Sequence, residues 1–126
     1  MTDITASVHA MTEKFLGKEM YLVVTRPVRG PGIDDQRLAD HLAHQIWLEK
    51  QGILFAAGPL YSSSSAVPEA GMFVLRAKSF EEAEAIANGD PLHQAGLRTF
   101  TLQKWRINEG SYTVTVNYSD QSVQIS

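Results

Sequence analysis

Residues Leu38 to Leu60, LADHLAHQIWLEKQGILFAAGPL, change their apolar period part-way along. Leu38, Leu42 and Ile46 recur at helical spacing, so the first half is expected to form a helix with these three on its core face. On the same wheel His41 falls beside the apolar stripe, at the core edge, and His44 falls towards solvent. Gly52 ends the helical pattern. Ile53 to Ala57 then run apolar as a buried strand, and Gly58-Pro59 is expected to stop it.

Working outward, the Met20 to Thr25 run is apolar on both alternating faces and stops at Arg26-Pro27, as a central strand would. The loop that follows, RPVRGPGIDD, is broken by prolines and glycines, and Asp34 and Asp35 suit the N-terminal end of the helix carrying His41. Downstream, YSSSSAVPEAG is a polar, small-residue loop, and Met72 to Ala77 is a third strand. Ser79 and Glu82 have capping-box spacing ahead of the stripe Phe80, Ala83, Ile86 and Ala87, which predicts a second helix. Asn88-Gly89 ends it, Asp90-Pro91 opens a short turn through His93, and Leu97 to Trp105 is a fourth strand. The pattern is β-α-β-β-α-β, an α+β sandwich with an antiparallel sheet.

Two extensions flank that core. Residues 1–18 place Ile4, Val8, Met11 and Phe15 on one face of an N-terminal helix that ends at Gly17 and docks on the body. Residues 108–126 hold a turn, a fifth strand (Tyr112, Val114, Val116, Tyr118) expected to hairpin onto the fourth, and a short VQI strand. The expected organisation is therefore 1–18, 19–107 and 108–126, with the middle segment as the folded domain.

The 126 residues, 44% hydrophobic with net charge −3, fit one compact domain. Scattered Lys and Arg form no basic stripe for a phosphate backbone, so nucleic acid is not an expected partner. No apolar run approaches the ~20 residues of a spanning helix, and the N-terminus lacks the pattern of a secretory signal. A soluble, cytoplasmic protein without a membrane partner is expected. With no cysteine, disulfides, Cys-based zinc sites and thiol nucleophiles are excluded. His41-x-x-His44 is a weak metal signal, because the rings are about 60° apart on the wheel and no third ligand lies nearby; no metal or cofactor is expected.

His41 to Pro59, HLAHQIWLEKQGILFAAGP, followed by Ser79 to Pro91, SFEEAEAIANGDP, and an aromatic near the end of the fourth strand, resembles the YCII-related (YciI-like) proteins of the dimeric α/β-barrel, ferredoxin-like superfamily. The resemblance spans roughly residues 20–106. It implies a ferredoxin-like sandwich, a homodimer by sheet-to-sheet packing, and a functional dyad at the positions of His41 and Asp90. Where a Pro-aromatic pair is common in the family, this chain has Lys104-Trp105-Arg106.

Topology supports that dyad independently. In a β-α-β-β-α-β sandwich the first helix begins, and the second ends, at the same sheet edge, so His41 and Asp90 can meet, with the loops at residues 26–32 and 62–71 at the same rim. Arg26 and Arg29 are the candidate substrate-binding cations there, suited to a carboxylate or phenolate. Each residue also has a plain structural explanation: Asp90 as the cap of its turn, His41 as a core-edge histidine satisfied by a carbonyl, the arginines as solvated loop charges. His9, His44 and His93 are assigned no role, and Trp47 is expected to be covered by the N-terminal helix or another subunit. The expected function is a cofactor-independent enzyme in which His41 and Asp90 assist proton transfer, an elimination or isomerisation, on a small aromatic or lactone-like acid. The alternative is a non-catalytic small-ligand-binding or accessory subunit using the same pocket.

Overall fold

A computed structural model of the chain describes residues 2–30 and 32–126; Met1, and Pro31 of the loop after the first strand, lie outside the described residues. The chain forms two compact units, Glu19–Arg106 and Met1–Lys18 with Ile107–Ser126. In the larger unit β1 (Lys18–Pro27), β2 (Leu54–Leu60), β3 (Ala70–Leu75) and β4 (Arg98–Ile107) form one antiparallel sheet in the order β2-β3-β1-β4. Two helices, α2 (Asp35–Lys50) and α3 (Phe80–Asn88), connect them, and a single turn of helix, α4 (Pro91–Gln94), follows α3. This is the ferredoxin-like fold.

The period-two alternation of β1 decides what is buried where. Tyr21 and Val23 join Phe73 and Leu75 of β3, Leu48 of α2, and Ala83 and Ala87 of α3 in one core on the helix side. Each large apolar side chain buried there contributes about 1.5–3 kcal/mol. The register Val23↔Phe73 and Thr25↔Gly71 carries the helix-side row to the end of the sheet, where Pro59 of β2 also lies opposite Gly71. Ser79 Oγ accepts from Glu82 N at 3.1 Å and Asp34 Oδ1 from Arg37 N at 2.8 Å, so both helices start at the caps expected from sequence.

Two expectations in this unit are corrected. Helix α2 is rotated from its apolar stripe: Gln45 (7% exposed) and Leu48 (2%) face inward with His41, whereas Leu42 (52%) and Ile46 (57%) face out with Leu38. The i, i+4, i+7 row His41, Gln45, Leu48 wins because its two polar members find a buried partner in Asp90, which periodicity cannot reveal. Strand β2 also runs through Gly58-Pro59 to Leu60 rather than stopping there, and most of it is exposed rather than buried. It is an edge strand, where a missing N–H costs no ladder bond if it faces outward.

In the smaller unit, α1 spans Thr2–Thr12 and ends before Gly17. Lys14 N to Met11 O and Phe15 N to Thr12 O are three-residue bonds that tighten the chain into a turn. Ile4, Val8 and Met11 are exposed. The strands β5 (Val114–Val116) and β6 (Val123–Ile125) pair with each other as a separate two-stranded sheet, so the expected β5 to β4 hairpin does not form. Backbone bonds between Thr113 and Ser126 and from Asn117 N to Ser122 O close both ends of that ribbon, and so commit the β5 ladder to β6.

Candidate functional site

Asp90 is fixed before anything else at the site. It sits between the C-cap glycine of α3 and Pro91, and its Oδ1 accepts from Leu92 N at 2.9 Å as the N-cap of α4. That bond aims Oδ2 at the inner face of α2. There His41 Nδ1 lies 2.7 Å away and Gln45 Nε2 donates at 3.2 Å, one helical turn further on. The carboxylate is fully buried and the imidazole mostly so.

Burial, the largest single influence, pushes the Asp90 carboxyl up. The bond from His41, the Leu92 N–H, the nearby imidazole charge and Gln45 together outweigh it and hold the carboxyl below its ordinary value. An ionised Asp90 can only accept, so Nδ1 of His41 carries the proton and donates it. Nε2 is thereby left as the ring's free position.

A cleft of about 370 Å³ opens beside this pair, within the ~300–1,000 Å³ usual for small-molecule sites. His41 and Gln45 form one wall, with Leu38 and Leu42 of the outward stripe at its border. Thr25, Pro59 and Gly71, the end row of the sheet, lie across from them, and Arg98 from the start of β4 completes the lining. The structure thus brings His41 and Asp90 together but leaves Arg26 and Arg29 exposed and outside the cleft's described lining.

Two residues of this region had no role in the sequence reading. Arg98 is two places before Phe100 and four before Leu102, both of which pack on the core, so strand alternation could have placed it on the helix side. His93 carried no such signal. Its Nδ1 donates to Ala87 O at 2.6 Å, which leaves Nε2 to accept from Thr25 Oγ1 at 2.8 Å, and its ring stacks on Phe73 and lies tilted 4.7 Å from that of Phe100. His44 stacks on Trp47, which is 54% exposed in the single chain. Among the described residues, no group of three or more His, Cys, Asp or Glu could hold a metal ion, and no helix is long and apolar enough to cross a membrane.

The architecture agrees with a family-level match: the model of the YCII-related domain fits residues 20–106. The chain belongs to the YCII-related family. No curated protein matches it in sequence. Among solved structures it is similar to the 5-chloro-2-hydroxyhydroquinone dehydrochlorinase TftG from Burkholderia phenoliruptrix AC1100, in complex with 2,5-dihydroxybenzoquinone. The identity is 22% and the TM-score 0.50, over 68% of this chain and 92% of that one. At that identity the likeness concerns the fold alone.

Proposed function

We propose that this YCII-related protein is a cofactor-independent enzyme that moves a proton on a small aromatic or lactone-like acid, driving an elimination or isomerisation. The carrying observation is the 2.7 Å contact between His41 Nδ1 and Asp90 Oδ2 at the wall of the cleft. With Nδ1 committed to Asp90, Nε2 takes the proton from a substrate C–H or O–H. The released electron pair forms the new double bond; in an elimination the leaving group departs with its own pair, and in an isomerisation the imidazolium returns the proton to another atom of the substrate. Asp90 orients the ring and stabilises the imidazolium formed. The dehydrochlorinase of the same fold acts, by its name, on a chlorinated hydroquinone, which supports an aromatic substrate by analogy of fold.

The test is turnover, and exchange of substrate hydrogen with deuterated solvent, over a panel of substituted hydroquinones and hydroxy acids that includes 5-chloro-2-hydroxyhydroquinone. Wild type is expected to catalyse one or both, and His41→Gln to lose them without losing its melting temperature. Equal rates in the two proteins would remove His41 from the chemistry, and saturable binding with neither exchange nor turnover would leave the non-catalytic ligand-binding alternative.

The same reading includes a homodimer joined sheet to sheet. Leu22 and Val24 on the face away from the helices are only half-buried, as is Met72, and Trp105 beside them is exposed. A second sheet would cover that apolar face. Light scattering should give twice the chain mass at micromolar concentration; a monomer mass with no loss of stability on dilution rejects it.

A further inference from the structure

We infer that Arg98 is the anion-binding residue of the cleft, and that the ligand is a small carboxylate or phenolate whose charged group lies over Gly71 and whose reacting part faces His41. The inference rests on the cleft being the substrate site, as proposed above, but not on any chemistry at His41.

Three observations carry it. Among the described lining residues Arg98 is the sole arginine or lysine, and none of them is acidic. No carboxylate of the described residues pairs with Arg98, although every other partly buried charge of the site is partnered, and its Nε is buried with no hydrogen-bond partner. A guanidinium keeps its charge at any physiological pH, so a half-buried one without a counter-ion leaves an attraction that an incoming anion satisfies. The third observation is the hollow in which it lies. A Cβ placed on Gly71 would stand 3.4 Å from Arg98 Nη1 and 3.1 Å from the Thr25 methyl, so the missing side chain is what gives the guanidinium its space beside the cleft floor. Arg26 and Arg29, exposed on their loop, have no comparable setting. A planar fork of donors fits the two oxygens of a carboxylate, and the cleft's volume fits one substituted ring.

The experiment is an NMR titration of the full chain with benzoate and, in parallel, with its neutral isostere benzamide. Wild type is expected to bind benzoate with shifts centred on Gly71 and Arg98. Arg98→Gln should weaken benzoate by roughly 10–100-fold, the range for losing a charge-assisted pair, and leave benzamide unchanged. Arg98→Lys should recover part of the loss. If Arg98→Gln does not fold, Gly71→Ala serves instead, since it keeps the charge and fills the hollow, and it should weaken benzoate selectively as well. Benzoate binding that is absent in wild type, unchanged in these variants, or lost in Arg26→Gln/Arg29→Gln instead overturns the inference. Failure of the proposed reaction looks different: His41→Gln would then match wild type in turnover while the dependence of benzoate binding on Arg98 stood.

Discussion

His41 and His93 are both mostly enclosed rings of the larger unit, and both are anchored through Nδ1, but to opposite kinds of partner. His41 donates to a buried carboxylate and leaves Nε2 without a hydrogen bond among the described residues; His93 donates to a carbonyl and has its Nε2 taken by the Thr25 hydroxyl. His41 can therefore gain a proton on one nitrogen while held on the other. His93 instead holds two uncharged partners, a carbonyl on one nitrogen and a hydroxyl on the other. Phe73 and Phe100 beside it add apolar contact and no compensating anion. Two similar imidazoles are thereby set apart, one for proton transfer and one for holding the end of the sheet against α4.

The largest effect should separate the two at once. His41→Gln, polar and of similar size at the core edge, is expected to lower turnover by roughly 10²–10⁴-fold with little change in melting temperature. His93→Gln should act in the reverse sense, with melting temperature falling and turnover per folded molecule retained. Steady-state rates normalised to the folded fraction make the comparison, and equal losses of rate in both variants would break it.

Removing the carboxylate comes next. Asp90→Ala deletes the cap on Leu92 N and strands His41 and Gln45, and should cost about 2–4 kcal/mol in urea unfolding; Asp90→Asn keeps most of the cap and should cost less. Acid then sharpens the point. Because the Asp90 carboxyl is held below its ordinary value when folded, its contribution is complete above its unfolded pKa of about 4 and is lost as pH falls through the lower folded value. Wild type should lose stability across that acid window more steeply than Asp90→Asn. Parallel acid limbs would mean that the pair carries no charge coupling.

Local signals account for what could be anticipated of this architecture. Caps at Asp34 and Ser79 and the alternation of β1 and β3 depend on near neighbours, and they were legible. The His41–Asp90 approach followed from topology, since the two are 49 residues apart yet share a sheet edge. What escaped depends on long-range pairing. The rotation of α2 is set by a carboxylate outside its own helix, β5 chooses β6 over β4 by closing its own ladder, and Thr25 meets His93 across 68 residues with no periodic trace. Arg98 lies within reach of strand alternation, two and four places from the core-packed Phe100 and Leu102, whereas Arg26 and Arg29 rest on the expectation that their loop opens at the rim.

The smallest expected effect is the most exacting for the contrast between the histidines. Thr25→Val is close to isosteric and keeps the methyl that packs by Gly71, but it removes the O–H that His93 Nε2 accepts. One buried acceptor is left unpaired, for a cost of about 1 kcal/mol. The His93 ring should keep its proton on Nδ1, because the bond to Ala87 O is untouched, and nitrogen NMR of the ring should show the change confined to Nε2. Thr25→Ser restores the donor and should recover the hydrogen bond while losing only methyl packing. Turnover should change little in either, since on this view His93 only positions Thr25 and the sheet end. If Thr25→Val instead lost rate on the scale of His41→Gln with its fold intact, the Thr25–His93 pair would belong to the chemistry, and the His93 ring would need a role in moving a proton of its own.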